Sequence, residues 1–147
     1  MKIEYNNLYT HYVFTTLNRM PLIMEHNRER IEKYITGIVN NQDCKMYSIY
    51  ANPEHIHFLI SRSPKIDEES LATIIANSSE KFINDNRLSD GFFQWQKSCS
   101  AFSISKQLIP TLCKYIETQK EHHKNETYSE EYEKFVKHYQ STIRKKV

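Results

Sequence analysis

The sequence predicts an α+β domain: a ferredoxin-like or RRM-like antiparallel four-stranded sheet with helices packed on it and extra helices at the C-terminal end. Three observations predict it. Segments of alternating, β-branched and aromatic residues are interleaved with segments of helical spacing in the order β-α-β-β-α-β-α-α. The two middle strand segments are separated only by "NPE", short enough for a hairpin. The chain has 147 residues, 39% apolar and 26% charged, which suits one globular domain over residues 1–147 with an adequate core.

The elements follow in order. "LYTHYVFTTL" (8–17) is rich in β-branched and aromatic residues and reads as a first strand. "MEHNRERIEKYITGIVNNQ" (24–42) carries Ile31, Tyr34, Ile35 and Ile38 at helical spacing. "CKMYSIYA" (44–51) and "HIHFLIS" (55–61) are the hairpin strands. Asp67 is placed to cap a second helix, whose Leu71, Ile74, Ile75, Phe82 and Ile83 form an apolar stripe. "FFQWQKSCSAFSIS" (92–105) reads as a fourth strand, and 106–124 as a third helix with Pro110 near its start, where proline is tolerated. "SEEYEKFVKHYQSTIRKK" reads as a charged fourth helix.

Composition excludes several classes. Two glycines and four prolines leave no flexible linker, and no internal repeat is visible. The first residues lack an apolar signal core and no window is long enough to span a membrane, so a cytoplasmic protein without membrane contact is expected. Cys44, Cys99 and Cys113 are odd in number and lack C-x-x-C spacing, as expected of reduced thiols. The formal charge is only +2, although residues 106–147 hold nine Lys/Arg against six Asp/Glu. That mildly basic end suits a phosphate-rich partner without requiring one.

Candidate chemistry sits in "PEHIHFLISR". In a strand, residues i and i+2 share a face. His55 and His57 therefore present two imidazoles side by side, while Ile56 and Phe58 face the other way. Such a pair is either a solvated strand face or two ligands, and the pattern alone leaves both open. In the third helix Tyr115 and Gln119 are four residues apart, one turn along the same face. A tyrosine at a core boundary and a solvated glutamine would give the same pattern. His11 and His26 have no companion at ligand spacing and read as structural.

Taken together, "HYVFTTLNRMPLI", "PEHIHFLIS", "IIANSSEKFI", "WQKSCSAFSIS" and "KYIETQKEHHK" resemble, in order, the single-tyrosine transposases of the HUH superfamily. These occur in small bacterial insertion sequences, with relatives associated with repetitive extragenic palindromes. The resemblance runs from about residue 11 to 124. It implies that His55, His57 and Gln119 hold a divalent metal, Mg²⁺ or Mn²⁺, and that Tyr115 is the nucleophile of a 5′-phosphotyrosine reaction. It also implies single-stranded hairpin DNA as substrate and a homodimer in which the tyrosine helix of one subunit can complete the active site of the other. Arg19, Asn77, Lys81, Lys114 and Lys120 are the corresponding candidates for DNA contact. The chain departs from the family in having Glu54 before the histidine motif, where relatives often have Asp, and small residues in "KSCSAFS" in place of an aromatic–glycine pair.

Rival classes ask for other residues. A histidine-triad nucleotide hydrolase needs a third alternating histidine where this chain has Leu59, and a two-histidine phosphoesterase needs a repeated H-x-S/T. A non-catalytic RRM-like module would read bases with exposed sheet aromatics, for which Phe58 is a candidate, and would not need Tyr115 or Gln119. A domesticated relative that processes repeat hairpins would share every residue named above.

Overall fold

Strand β3 (His55–Ser61) occupies an interior position in the sheet, and its alternation gives the molecule two different faces. The computed structural model describes residues 1–122 together with 127, 130, 131, 133, 134 and 137. The expected fourth helix and the basic chain end therefore lie largely outside the described residues. The chain divides into two compact units, one of residues Met1–Glu117 and one beginning at Thr118.

The first unit contains the predicted sheet. Strands β1 (Tyr9–Thr15), β2 (Lys45–Ala51), β3 and β4 (Ser100–Ile104) lie in the order β2-β3-β1-β4, with every neighbouring pair antiparallel. This is the ferredoxin-like order expected from the element sequence. Helices α1 (Arg28–Asn41) and α2 (Glu68–Asp85) contribute to one core with the strands. Ile31, Ile35 and Val39 recur at four-residue spacing and give α1 its buried edge. Asp67 caps α2 as predicted, its carboxylate accepting from the Ser70 N–H at 2.8 Å, and Glu68 and Glu69 favour the positive end of that helix.

Between the helices and the sheet lies an aromatic cluster. Phe58 stacks on Tyr12 with centroids 5.1 Å apart and meets Phe14 edge-on at 5.2 Å. Phe14 in turn meets Trp95 edge-on at 5.6 Å. Phe58 is fully buried in this core, so it is not the exposed base-reading aromatic that an RRM-like module would require.

The opposite face carries His11, Val13, His55, His57 and Leu59, as the β1–β3 register requires. Helix α3 (Ile109–Glu117) packs against β2 and β3 on that face. Pro110 is its second residue, where the absent N–H would have had no helical partner.

Two expected elements differ. The fourth strand is confined to Ser100–Ile104. Residues before it are held by side chains of α2: Asn84 both donates to the Phe93 carbonyl at 2.9 Å and accepts from its N–H at 2.7 Å, and Glu80 accepts from Trp95 N–H at 3.1 Å. These bonds, together with an isolated bridge to the end of β1 in which Leu17 N–H donates to the Gln94 carbonyl at 2.9 Å and Gln96 N–H to the Thr15 carbonyl at 2.8 Å, hold the segment without a continuous ladder. The expected single helix over 106–124 is also divided. After a 3₁₀ turn at Lys106–Leu108, α3 ends at Glu117, Thr118 is a turn, and α4 runs Gln119–His122. No helix among the described residues is long and apolar enough to cross a membrane.

Candidate active site

The histidine motif begins where the β2–β3 hairpin closes. Asn52 N–H donates to the His55 carbonyl at 2.8 Å, and Thr16 uses both its N–H and its hydroxyl to bind the Glu54 carbonyl at 2.9 and 3.0 Å. The end of β1 thus fixes the loop that presents His55. Strand alternation does the rest, and the His55 and His57 rings lie 5.0 Å apart at 81°.

Each imidazole has a neighbour at Nδ1. Glu54 Oε1 lies 3.0 Å from His55 Nδ1. An ionised carboxylate can only accept, so this contact puts the His55 hydrogen on Nδ1. On the other side of that ring, the Asn52 amide is 3.3 Å from Nε2, and an amide N–H donates into the lone pair which that tautomer leaves there. For His57, the Nδ1 neighbour is His11 Nε2, at 2.9 Å. The two rings are stacked with centroids 5.1 Å apart and 27° between planes. His11 is paired with Leu59 across the ladder and Val13 with His57, so His11 and His57 are diagonal neighbours on one face.

Tyr115 comes to this group from α3. Its ring meets that of His57 edge-on, with centroids 6.1 Å apart at 87°, and the side chain is partly exposed. Three of the residues selected from the sequence, His55, His57 and Tyr115, are therefore assembled on one face of the sheet within the first unit. Gln119 is the first residue of α4, in the second unit, so it does not follow Tyr115 along an unbroken helix as the spacing suggested.

The donor set suits a divalent cation. Two imidazoles in adjacent same-face positions, each held through Nδ1, form the ligand-plus-support arrangement by which proteins fix histidine ligands, with a metal at His55 Nε2 taking the lone pair that the Asn52 amide otherwise occupies. Imidazole accepts a range of divalent first-row metals, and the residues alone do not select among them.

The chain matches the family model "Transposase IS200 like" over residues 4–119. It belongs to the IS200-like transposase family. No curated protein matches it. Among solved structures it is similar to a candidate transposase from Deinococcus radiodurans R1, with a TM-score of 0.62 and 15% identity over 81% of this chain and 96% of the other. It is also similar to a REP-associated tyrosine transposase bound to a REP hairpin, with a TM-score of 0.61 and 14% identity over 84% of this chain and 72% of that one. At such identities the likeness is one of fold. It supports the α+β architecture predicted from the element order.

The candidate DNA contacts of this transposase-family chain are dispersed. Arg19 is exposed in a 3₁₀ turn after β1, with φ of 55°, and Lys114 is exposed on α3 beside Tyr115. Lys81 is exposed on α2 and paired with Asp85 at 2.7 Å, while Lys120 belongs to the second unit. Asn77 lines a cleft of about 750 Å³ between α2 and residues 94–99, together with Glu80, Trp95 and Lys97. That cleft lies on the aromatic face, away from the histidines.

His11 is the residue that the sequence reading passed over. Its sequence context shows no companion, but in the fold it contacts His57 directly. The usable signal was strand alternation in "YTHYVF" combined with β1–β3 pairing, which places His11 on the face of His57.

Proposed function

We propose that this family member is a DNA strand transferase that cleaves and rejoins single-stranded DNA beside a hairpin, through a 5′-phosphotyrosine on Tyr115. His55, His57 and, from its place in the motif, Gln119 would hold a divalent ion, Mg²⁺ or Mn²⁺. The observation that carries the reading is the approach of the Tyr115 ring to His57 within one compact unit. A phenol beside an imidazole pair of metal-ligand type is the juxtaposition that a tyrosine nucleophile needs.

A bound divalent ion would polarise the phosphodiester and offset the charge that develops on it. The chain's own residues supply the rest. Tyr115 Oη forms a bond to phosphorus as the P–O3′ bond breaks. The phenolic proton leaves, and the departing 3′ oxygen takes up a proton to become a hydroxyl. A free tyrosine has a pKa of about 10, so the phenol must lose its proton during attack. The phosphotyrosine retains a high-energy ester, and a second 3′-hydroxyl reverses the exchange without ATP. Glu54 holds the His55 ring while this occurs.

Hairpin DNA as substrate is supported by the similar transposase whose structure contains a REP hairpin. We further propose a homodimer, for which a monomeric mass by light scattering would be the contrary result. The decisive experiment supplies single-stranded hairpin DNA with Mn²⁺ or Mg²⁺. The protein should acquire covalently attached DNA, seen as a shifted species in denaturing gels and located on Tyr115 by mass spectrometry. Tyr115→Phe should form none. Undiminished cleavage by Tyr115→Phe would replace this reading with a metal-dependent nuclease.

A further inference from the structure

We propose that His11 is a positioning residue that sets the tautomer of His57 and so presents the His57 Nε2 lone pair for ligation. The inference rests on the reading of His57 as a metal ligand. The 2.9 Å contact joins His57 Nδ1 to His11 Nε2. Between two neutral imidazoles, one of these nitrogens donates and the other accepts. If His11 donates, the His57 hydrogen moves to Nε2 and blocks ligation there. If His57 donates from Nδ1, its Nε2 carries the lone pair. Only the second arrangement gives a ligand.

The parallel with His55 favours that second arrangement. There the tautomer is fixed by a carboxylate at Nδ1 and an amide donor at Nε2, which gives hydrogen on Nδ1 and lone pair on Nε2. His57 has an imidazole where His55 has a carboxylate. His11, with its own hydrogen on Nδ1, serves as the acceptor that Glu54 provides for the first ring. Its position is well constrained. The backbone is locked by the β1–β3 and β1–β4 ladders, and the ring lies between His57 at 5.1 Å and Phe102 at 6.0 Å.

A residue present only for packing should be replaceable by another ring, whereas an acceptor should not. His11→Phe keeps an aromatic and removes the acceptor. His11→Gln loses the ring but offers a carbonyl oxygen at about the reach of Nε2. Nitrogen-15 NMR of the metal-free protein reads the tautomer directly. The parent should show His57 protonated on Nδ1, His11→Phe should lose that preference, and His11→Gln should regain it. Mn²⁺ titration of the same proteins should show affinity falling about ten- to a hundredfold in His11→Phe, with most of it recovered in His11→Gln. Hydrogen on His57 Nε2 in the parent, or a tautomer and Mn²⁺ affinity unmoved by Phe, would overturn the assignment. Should His11→Phe fail to fold, the parent's tautomer and the affinity of His11→Gln decide the matter. Absence of Mn²⁺ binding in the parent would remove the metal reading instead, while the tautomer still judges the contact.

Discussion

Replacing Phe58 by alanine tests what holds the histidine strand in place. Phe58 follows His57 and points to the opposite face, where it is fully buried against Tyr12 and Phe14. Truncating a buried phenylalanine costs roughly 3–5 kcal/mol, from lost transfer energy and the cavity left behind. Two well-oriented ring pairs, worth about 0.5–1.5 kcal/mol each, place this site toward the upper end of that range. Domains of this kind have roughly 5–15 kcal/mol in all, so the variant should be folded but marginal at best. With a urea slope of about 2 kcal/mol per molar, the midpoint should move down by about 2 M. Phe58→Leu keeps most of the volume and should lose about 1–2 kcal/mol, chiefly the ring pairs. Urea unfolding followed by tryptophan fluorescence is the assay, since Trp95 belongs to the same cluster through Phe14. A Phe58→Ala loss below about 1.5 kcal/mol at unchanged slope would refute the argument that this cluster anchors the strand.

Two further outcomes are expected. By calorimetry, His55→Ala and His57→Ala should each abolish measurable Mn²⁺ binding, and Gln119→Ala should weaken it less because an amide oxygen is the poorest of the three donors; unchanged binding in His57→Ala would make the motif a strand face and nothing more. Asp67 is held below its ordinary value of 3.8 chiefly by the Ser70 backbone N–H, so its contribution to α2 is present above that value and is lost as pH falls through the lower folded-state value; thermal unfolding between pH 5 and 2 should fall less steeply for Asp67→Asn, and parallel curves would count against the cap.

Local signals and the ferredoxin-like strand order are legible in the sequence, whereas side-chain contacts between distant elements are not. The alternation of "HIHFLIS" gave both ends of β3, and the three-residue "NPE" gave the hairpin. The Asp67 cap and the apolar stripe of α2 were likewise visible, because caps and periodicity act over a single turn. The division at Thr118 left no such mark. "KYIETQKEHHK" contains no glycine or proline, and its residues are good or neutral helix formers. Nor could local pattern show that Phe93 and Trp95 are held by Asn84 and Glu80, which approach only after α2 has packed.

His11 makes the same point for the site. Its contact with His57 spans 46 positions in sequence and exists only because β1 lies beside β3. Once that pairing is known, the residue follows from period two alone, since a one-residue slip would turn His11 toward the aromatic core and Tyr12 toward His57. The register that brings Tyr12 onto Phe58 is thus also the register that brings His11 diagonally onto His57. Aromatic packing on one face and imidazole orientation on the other are two consequences of a single strand alignment. A change that loosens the cluster behind the sheet should therefore disturb His57 without touching it, whereas His11→Phe should disturb His57 while leaving that cluster in place.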